Sequence, residues 1–225
     1  MGVELWSLQT DEGERWRTPR EAIRFLRDPA RAITGPPPEH LAAWDALCAR
    51  RRVPALGGLD AHDYRPRVAG RVLRPIPNER YFGLLRTRVL LEDPLGADVA
   101  AAAGQVYGAL AEGRCYLAIE GFGSAEGFAF WAEGEDGVVP MGAEGSPGAR
   151  TLHARTPAPA RLRLLRDGRE TLALHGTELD HATSEPGVYR IEAHREIGGR
   201  QRMWIVSNPL YLTASPTTRS SPPPG

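Results

Sequence analysis

The sequence predicts an α/β segment followed by an all-β, immunoglobulin-like β-sandwich. Three observations lead to this reading. Apolar runs at Val3 to Trp6 and Val53 to Leu56, with helical stretches between them, give the strand, helix, strand order of a parallel sheet or barrel. After Gly113 the hydrophobic period changes from helical to alternating. Turn signals, Asp167-Gly168 and Gly198-Gly199 among them, then recur at the short intervals of a sandwich.

Each element has a local cause. Val3 to Trp6 is apolar enough for a buried strand. Thr18-Pro19-Arg20-Glu21 is a capping box with proline at the first helical position, and Ala22, Ile23, Phe25 and Leu26 follow it. Gly35-Pro36-Pro37-Pro38 breaks the chain. A second helix starts near Glu39, with Leu41, Trp44, Leu47 and Cys48 on one face. Arg50, Arg51 and Arg52 at its end suit the helix dipole. Val53 to Leu56 is a strand closed by Gly57-Gly58. Residues 64 to 97 are rich in proline and arginine, with an apolar stretch at Val89-Leu90-Leu91. A third helix runs from Asp98, its N-cap, to Glu112, and Gly113 stops it.

Seven strands are expected beyond that point. They are Tyr116 to Glu120, Gly127 to Ala132, Thr151 to Arg155, Arg161 to Leu165, Thr171 to His175, Val188 to His194 and Arg202 to Ser207. Pro186-Gly187-Val188-Tyr189 resembles a tyrosine corner. The domains expected are therefore 1–97 (α/β), 98–112 (connecting helix), 113–213 (sandwich) and a disordered tail, 214–225, rich in Ser, Thr and Pro. Two parallel strands leave an open edge, so residues 1–97 are expected to need a partner and 113–213 to fold alone.

Composition removes several function classes. The chain has 225 residues, 28 basic against 28 acidic, and 41% hydrophobic residues. Zero net charge argues against a strongly basic nucleic-acid binder. No apolar run reaches the roughly 18 residues of a membrane span, and the start at Met1 carries no signal-peptide pattern. Every basic residue is Arg, as GC-rich bacterial coding favours, so no lysine nucleophile, Schiff base or phosphate-loop lysine exists. Cys48 and Cys115 make no disulfide framework and no cysteine-based zinc site.

The chemistry concentrates at Gly57-Gly58-Leu59-Asp60-Ala61-His62. Asp60 and His62 fall just past the C-terminal end of a strand, the edge where α/β folds build their sites. A carboxylate and an imidazole one residue apart can reach the same divalent ion, Mn, Fe or Zn, and the glycines leave room for it. Two possible pocket residues join them. Glu4 sits on the neighbouring strand, and Arg65 could hold an anionic substrate with its guanidinium fork. His40, His153, His175, His181 and His194 read as structural. Ser207 has no readable His-Asp partners, so Ser207-Asn208-Pro209 reads as a turn or bulge. Trp131 and Trp204 read as core or interface residues. No residue is assigned as catalytic.

Trp44-Asp45-Ala46-Leu47 followed by Val53-Pro54-Ala55-Leu56-Gly57-Gly58-Leu59-Asp60-Ala61-His62 resembles the closing motif of the PHP (polymerase and histidinol phosphatase) superfamily. More narrowly, residues 2 to 213 resemble the C-terminal part of its carbaryl-hydrolase-like branch. Gly2-Val3-Glu4-Leu5-Trp6, Ala109-Leu110-Ala111-Glu112-Gly113-Arg114, Gly187-Val188-Tyr189-Arg190-Ile191-Glu192 and Trp204-Ile205-Val206-Ser207-Asn208-Pro209-Leu210-Tyr211 occur in the order of that branch. The resemblance implies the C-terminal remnant of a (β/α)7 PHP barrel ahead of the sandwich. It also implies a hydrolase of small-molecule phosphate or other esters that uses divalent metals, with Asp60 and His62 as ligands.

Departures from the pattern are as telling. The family's opening His-x-His pair and its middle-strand ligands are absent, and Leu59 stands where the family usually has Ser. The expectation is a C-terminal portion of a metal-dependent phosphoesterase, inactive alone for want of the other ligands. A fragmentary gene, a misplaced start at Met1 or a degenerate protein would each give such a chain. The alternative is a non-catalytic β-sandwich module that binds or scaffolds.

Overall fold

The computed structural model describes residues 2–14, 18–61, 67–68, 71–72 and 82–213. Its first part alternates strand and helix. β1 (Val3–Ser7) leads into α1 (Leu8–Glu14), α2 (Pro19–Arg27), α3 (Pro29–Ala32) and α4 (Pro38–Cys48), and the chain returns as β2 (Ala55–Gly58). β1 and β2 pair in parallel, Val3 opposite Ala55 and Ser7 opposite Gly58. The capping box forms: the Thr18 hydroxyl accepts from the Glu21 amide at 3.3 Å, and the Glu21 carboxylate accepts from the Thr18 amide at 2.9 Å. On α4 the apolar spacing buries Trp44 and Cys48, one turn apart. The Trp44 indole N–H donates to the Val53 carbonyl at 2.8 Å, which ties the helix to the chain entering β2.

The large sheet is antiparallel at all but one of its strand pairings. Two short strands, β3 (Arg67–Val68) and β4 (Arg71–Val72), form a separate ribbon. β5 (Leu85–Val89) then lies at the edge of the large sheet, beside β6 (Cys115–Ile119). α5 (Val99–Glu112) connects them, with the Asp98 carboxylate accepting from the Ala101 amide at 2.7 Å and Gly113 left-handed at φ 78°. β7 (Ala129–Gly134), β8 (Gly137–Pro140), β9 (Glu144–Gly145), β10 (Arg150–Arg166), β11 (Arg169–Thr183), β12 (Gly187–Ile197), β13 (Arg200–Ser207) and β14 (Leu210–Leu212) follow. The strand order is β5-β6-β13-β12-β10-β7-β8. β11 adds to β10, and β14 pairs with β12 and, in parallel, with β9. This mostly β architecture with a large antiparallel sheet is consistent with a β-sandwich.

Two expected strands merge. Residues 151–155 and 161–165 are halves of the single strand β10. Between Arg155 and Ala160 the register breaks, so four residues containing Pro157 and Pro159 oppose Thr177 alone. Proline lacks the N–H a ladder needs, which places the bulge there. The first half of β10 pairs with β7 and the second with β12, so the bulge is where the sheet changes neighbours. The hairpin turns use left-handed pairs, Asp167 (φ 51°) with Gly168 (φ 77°) and Gly198 (φ 59°) with Gly199 (φ 74°). The Tyr189 hydroxyl donates to the Glu185 carbonyl at 2.7 Å, four residues upstream.

The two parts share one hydrophobic core, which does not divide at residue 97. Leu5, Trp6, Leu8, Trp44, Val53 and Ala55 lie in the same buried cluster as Leu117, Ile191, Trp204 and Tyr211. β2 turns its second edge to side chains rather than to a strand. The Asn208 amide, fully buried, accepts from Ala55 N at 2.7 Å and donates to Ala55 O at 3.0 Å and Cys115 O at 2.8 Å. The Thr87 hydroxyl bridges N and O of Gly57, both at 3.0 Å. Among the described residues no helix is long and apolar enough to cross a membrane.

Candidate functional site

The C-terminal edge of the β1–β2 pair gathers polar side chains. Glu4, exposed on β1, reaches across Gly58, where an added Cβ would meet Glu4 Oε1. Asp60, half-buried, takes a left-handed backbone (φ 47°), a conformation that Asp tolerates better than most residues. The Thr10 hydroxyl donates to its carboxylate. The Gln9 amide donates to the Leu59 carbonyl at 3.1 Å, so the loop after β2 is tied to the first turn of α1.

Beside this edge, Asp11 is buried. It accepts from the Ser7 amide at 2.9 Å and lies 3.8 Å from His40 Nδ1. His40 Nδ1 is also 3.3 Å from the Leu5 carbonyl, a structural role for this histidine. Thr10 and Asp11 were not singled out from the sequence, because nothing in the string brings α1 against the loop after β2.

Glu4 stands near the start of β1, opposite Leu56, whereas Asp60 lies past the C-terminal end of β2; His62 and Arg65 lie outside the described residues. Among the described residues no group of three or more His, Cys, Asp or Glu is placed to hold a metal ion. A catalytic zinc takes about three protein ligands and a two-metal cluster more. The two described carboxylates do not fit a complete centre.

A second polar constellation lies between α4 and the large sheet. Arg190 makes a two-pronged pair with Asp45, Nε–Oδ1 2.9 Å and Nη2–Oδ2 3.0 Å, and a further bond to Glu192 at 2.5 Å. Its guanidinium stands 5.6 Å over the Trp44 ring. Glu192 in turn meets Arg163 at 2.6 Å, and Arg163 holds Glu170 below the usual carboxylate range. Opposite charges alternate along this row, which is how buried ions remain charged. It floors a groove of about 750 Å³ lined by Leu41, Ala46, Gln201 and His194 among others. Burial pushes the His194 imidazole down to about 4, against a partial upward pull from Glu192. Its Nδ1 is buried without a hydrogen-bond partner.

The remaining reactive side chains are structural. Burial raises both thiols, Cys115 to about 11, and both are free and buried. A thiol held protonated is a poor nucleophile. The Ser207 hydroxyl accepts from the Ile191 amide at 2.8 Å inside the core. Trp204 is core and donates to Gly123 O at 2.9 Å, whereas half-exposed Trp131 stacks on His153 at 5.0 Å. No family model, no curated protein and no solved structure matches the chain.

Proposed function

We propose that this chain is the C-terminal portion of a PHP-type metal-dependent hydrolase, contributing Asp60 and His62 to a divalent-metal site for phosphate or other esters. The observation that supports it is Asp60, held left-handed past the C-terminal end of a parallel strand and fixed by Thr10. Strand ends of this kind are where α/β folds build sites. The described ligands are too few for turnover, so the chain is inactive alone. The barrel remnant and an immunoglobulin-like order for the sheet belong to the same proposal. The Tyr189 corner bond supports the latter.

The test is reconstitution. The chain is mixed with Mn(II) or Zn(II) and a chromogenic phosphate ester, with and without a PHP barrel half carrying His-x-His. Turnover and bound metal are expected only with that half, and Asp60→Ala should lower both at least ~10-fold. Turnover by the chain alone that Asp60→Ala abolishes would overturn the inactivity. Reconstituted turnover indifferent to Asp60 would overturn the ligand assignment.

A second reading, a non-catalytic binding module, draws on the groove beneath α4, whose charged floor and apolar wall could hold a polar ligand. Binding of a small polar ligand that Gln201→Ala weakens, in a chain that takes up no metal, would favour it.

A further inference from the structure

A two-stranded sheet such as β1–β2 has two outer edges, and a bare edge recruits strands from other chains. On β2, side chains occupy the outer edge: Asn208 takes N and O of Ala55, and the Thr87 hydroxyl takes N and O of Gly57. On β1, Asp11 and His40 play the same part. Trp6 stands opposite Gly57. Gly57 uses both backbone groups on Thr87, so the ladder at this couple runs through Trp6. The next N–H on β1, that of Ser7, therefore points away from β2. It donates to Asp11 Oδ2 at 2.9 Å. The register slips between Glu4 and Trp6, which leaves Leu5 as the extra residue. The Leu5 carbonyl lies 3.3 Å from His40 Nδ1. A carbonyl only accepts, so Nδ1 carries the hydrogen. Asp11 Oδ2 and His40 Nδ1 are 3.8 Å apart, which makes acceptor and donor one unit.

We infer that Asp11 and His40 form a side-chain plug that stands in for the next strand and keeps the outer edge of β1 from pairing. Together they offer β1 the acceptor and the donor that a strand would. Asp11 comes from α1 and His40 from the first turn of α4, so the plug forms only when both helices are in place. The Asp11 side chain is 7% exposed and that of His40 45%, so His40 is the outer wall of the plug. Glu4, exposed on the same strand, adds a charge that disfavours pairing there. The open edge expected of two parallel strands is thus closed from within the chain. The inference is independent of the hydrolase reading: a barrel half that joined through β1 would first have to displace this pair.

Sedimentation of the full chain from about 1 to about 100 µM tests it. The double variant Asp11→Ala with His40→Ala should associate at least ~10-fold more tightly than the unaltered chain, as the opened edges of two copies pair. Hydrogen exchange at residues 3–7 should slow as it does so. Asp11→Asn with His40→Gln keeps an acceptor and a donor and should associate no more than the unaltered chain. A folded alanine variant that associates no more than the unaltered chain would overturn the plug, because a pair that merely capped α1 would lower the melting temperature and nothing else. Association that left exchange at residues 3–7 unchanged, or that the Asn and Gln variant shared, would overturn it as well. If the double alanine variant does not fold, His40→Ala alone carries the test. It frees the Leu5 carbonyl from a half-exposed partner, so association should still rise, and no rise would overturn the inference.

Discussion

Asn208 takes the place of a missing strand. Its amide pairs with both the N–H and the C=O of Ala55 and with the Cys115 carbonyl, in a position closed to water. Asn208→Ala would leave the Ala55 N–H and the Cys115 carbonyl without this partner in the core, and the Ala55 carbonyl with only the long contact from the Cys115 thiol at 3.9 Å. Each costs about 1–3 kcal/mol, so the loss should be about 3–5 kcal/mol and the melting temperature should fall by roughly 10 °C. Calorimetry showing a fall of only a degree or two would contradict this. His194 gives a pH signature. Its folded-state value is about 4 against an ordinary 6.5. The unfolded chain binds the proton first as pH falls, so its contribution is complete above 6.5, drains away between 6.5 and 4 and is flat below. Between pH 7.5 and 4.5 the native chain should lose about 2 to 3 kcal/mol more than His194→Gln. Equal losses in urea unfolding would show that the imidazole titrates normally. At this scale the sequence exposed Asp60 through its motif. It concealed Asn208, whose Ser-Asn-Pro setting reads as a turn until Ala55 is seen against it.

Among the elements, α4 is fixed by two adjacent residues that reach different partners. Trp44 bonds to the chain entering β2, and Asp45 receives Arg190 from β12. Asp45→Ala takes two of its three hydrogen bonds from a guanidinium that is only 4% exposed and leaves it Glu192 alone. Removing one partner of such a buried pair costs about 3 kcal/mol or more. The double variant Asp45→Ala with Arg190→Met should recover part of that loss, because the under-paired guanidinium is gone while Glu192 keeps Arg163. If the double variant is as unstable as the single one in urea, the ion pair is not the cause. Local signals fixed the helix ends: the Thr18 box, Asp98 and Gly113 act through neighbours three or four residues away. Strand lengths were less legible. β10 and β11 run far beyond their apolar cores, because hydrogen bonding to an adjacent strand carries the ladder through polar residues on both sides of the bulge at Pro157 and Pro159.

The molecule as a whole is held by a core that both parts build. Gly57 packs so closely on Leu117 that a Cβ there would lie 2.9 Å from it, and Gly35 is as close to Met203. The Tyr211 hydroxyl accepts from the Val53 amide at 3.2 Å. Deleting residues 1–97 should therefore uncover Leu117, Met203 and Tyr211. It would also remove β5 from the sheet edge. The shortened chain should bind ANS and lose near-ultraviolet dichroism, the signs of lost packing. A cooperative, ANS-free unfolding transition would instead establish 113–213 as an autonomous unit.

The sequence by itself determined the strand–helix–strand opening, the capped helices, the glycine hairpins and the change of period after Gly113. All of these rest on residues within a few positions of one another. Tertiary structure decided that β2 is edged by Asn208 and Thr87, that β5 belongs to the large sheet, and that Asp45, Arg190 and Glu192 form one buried row. Those contacts join residues up to 153 positions apart. No local period encodes such pairings, because they depend on which faces the packed chain brings together.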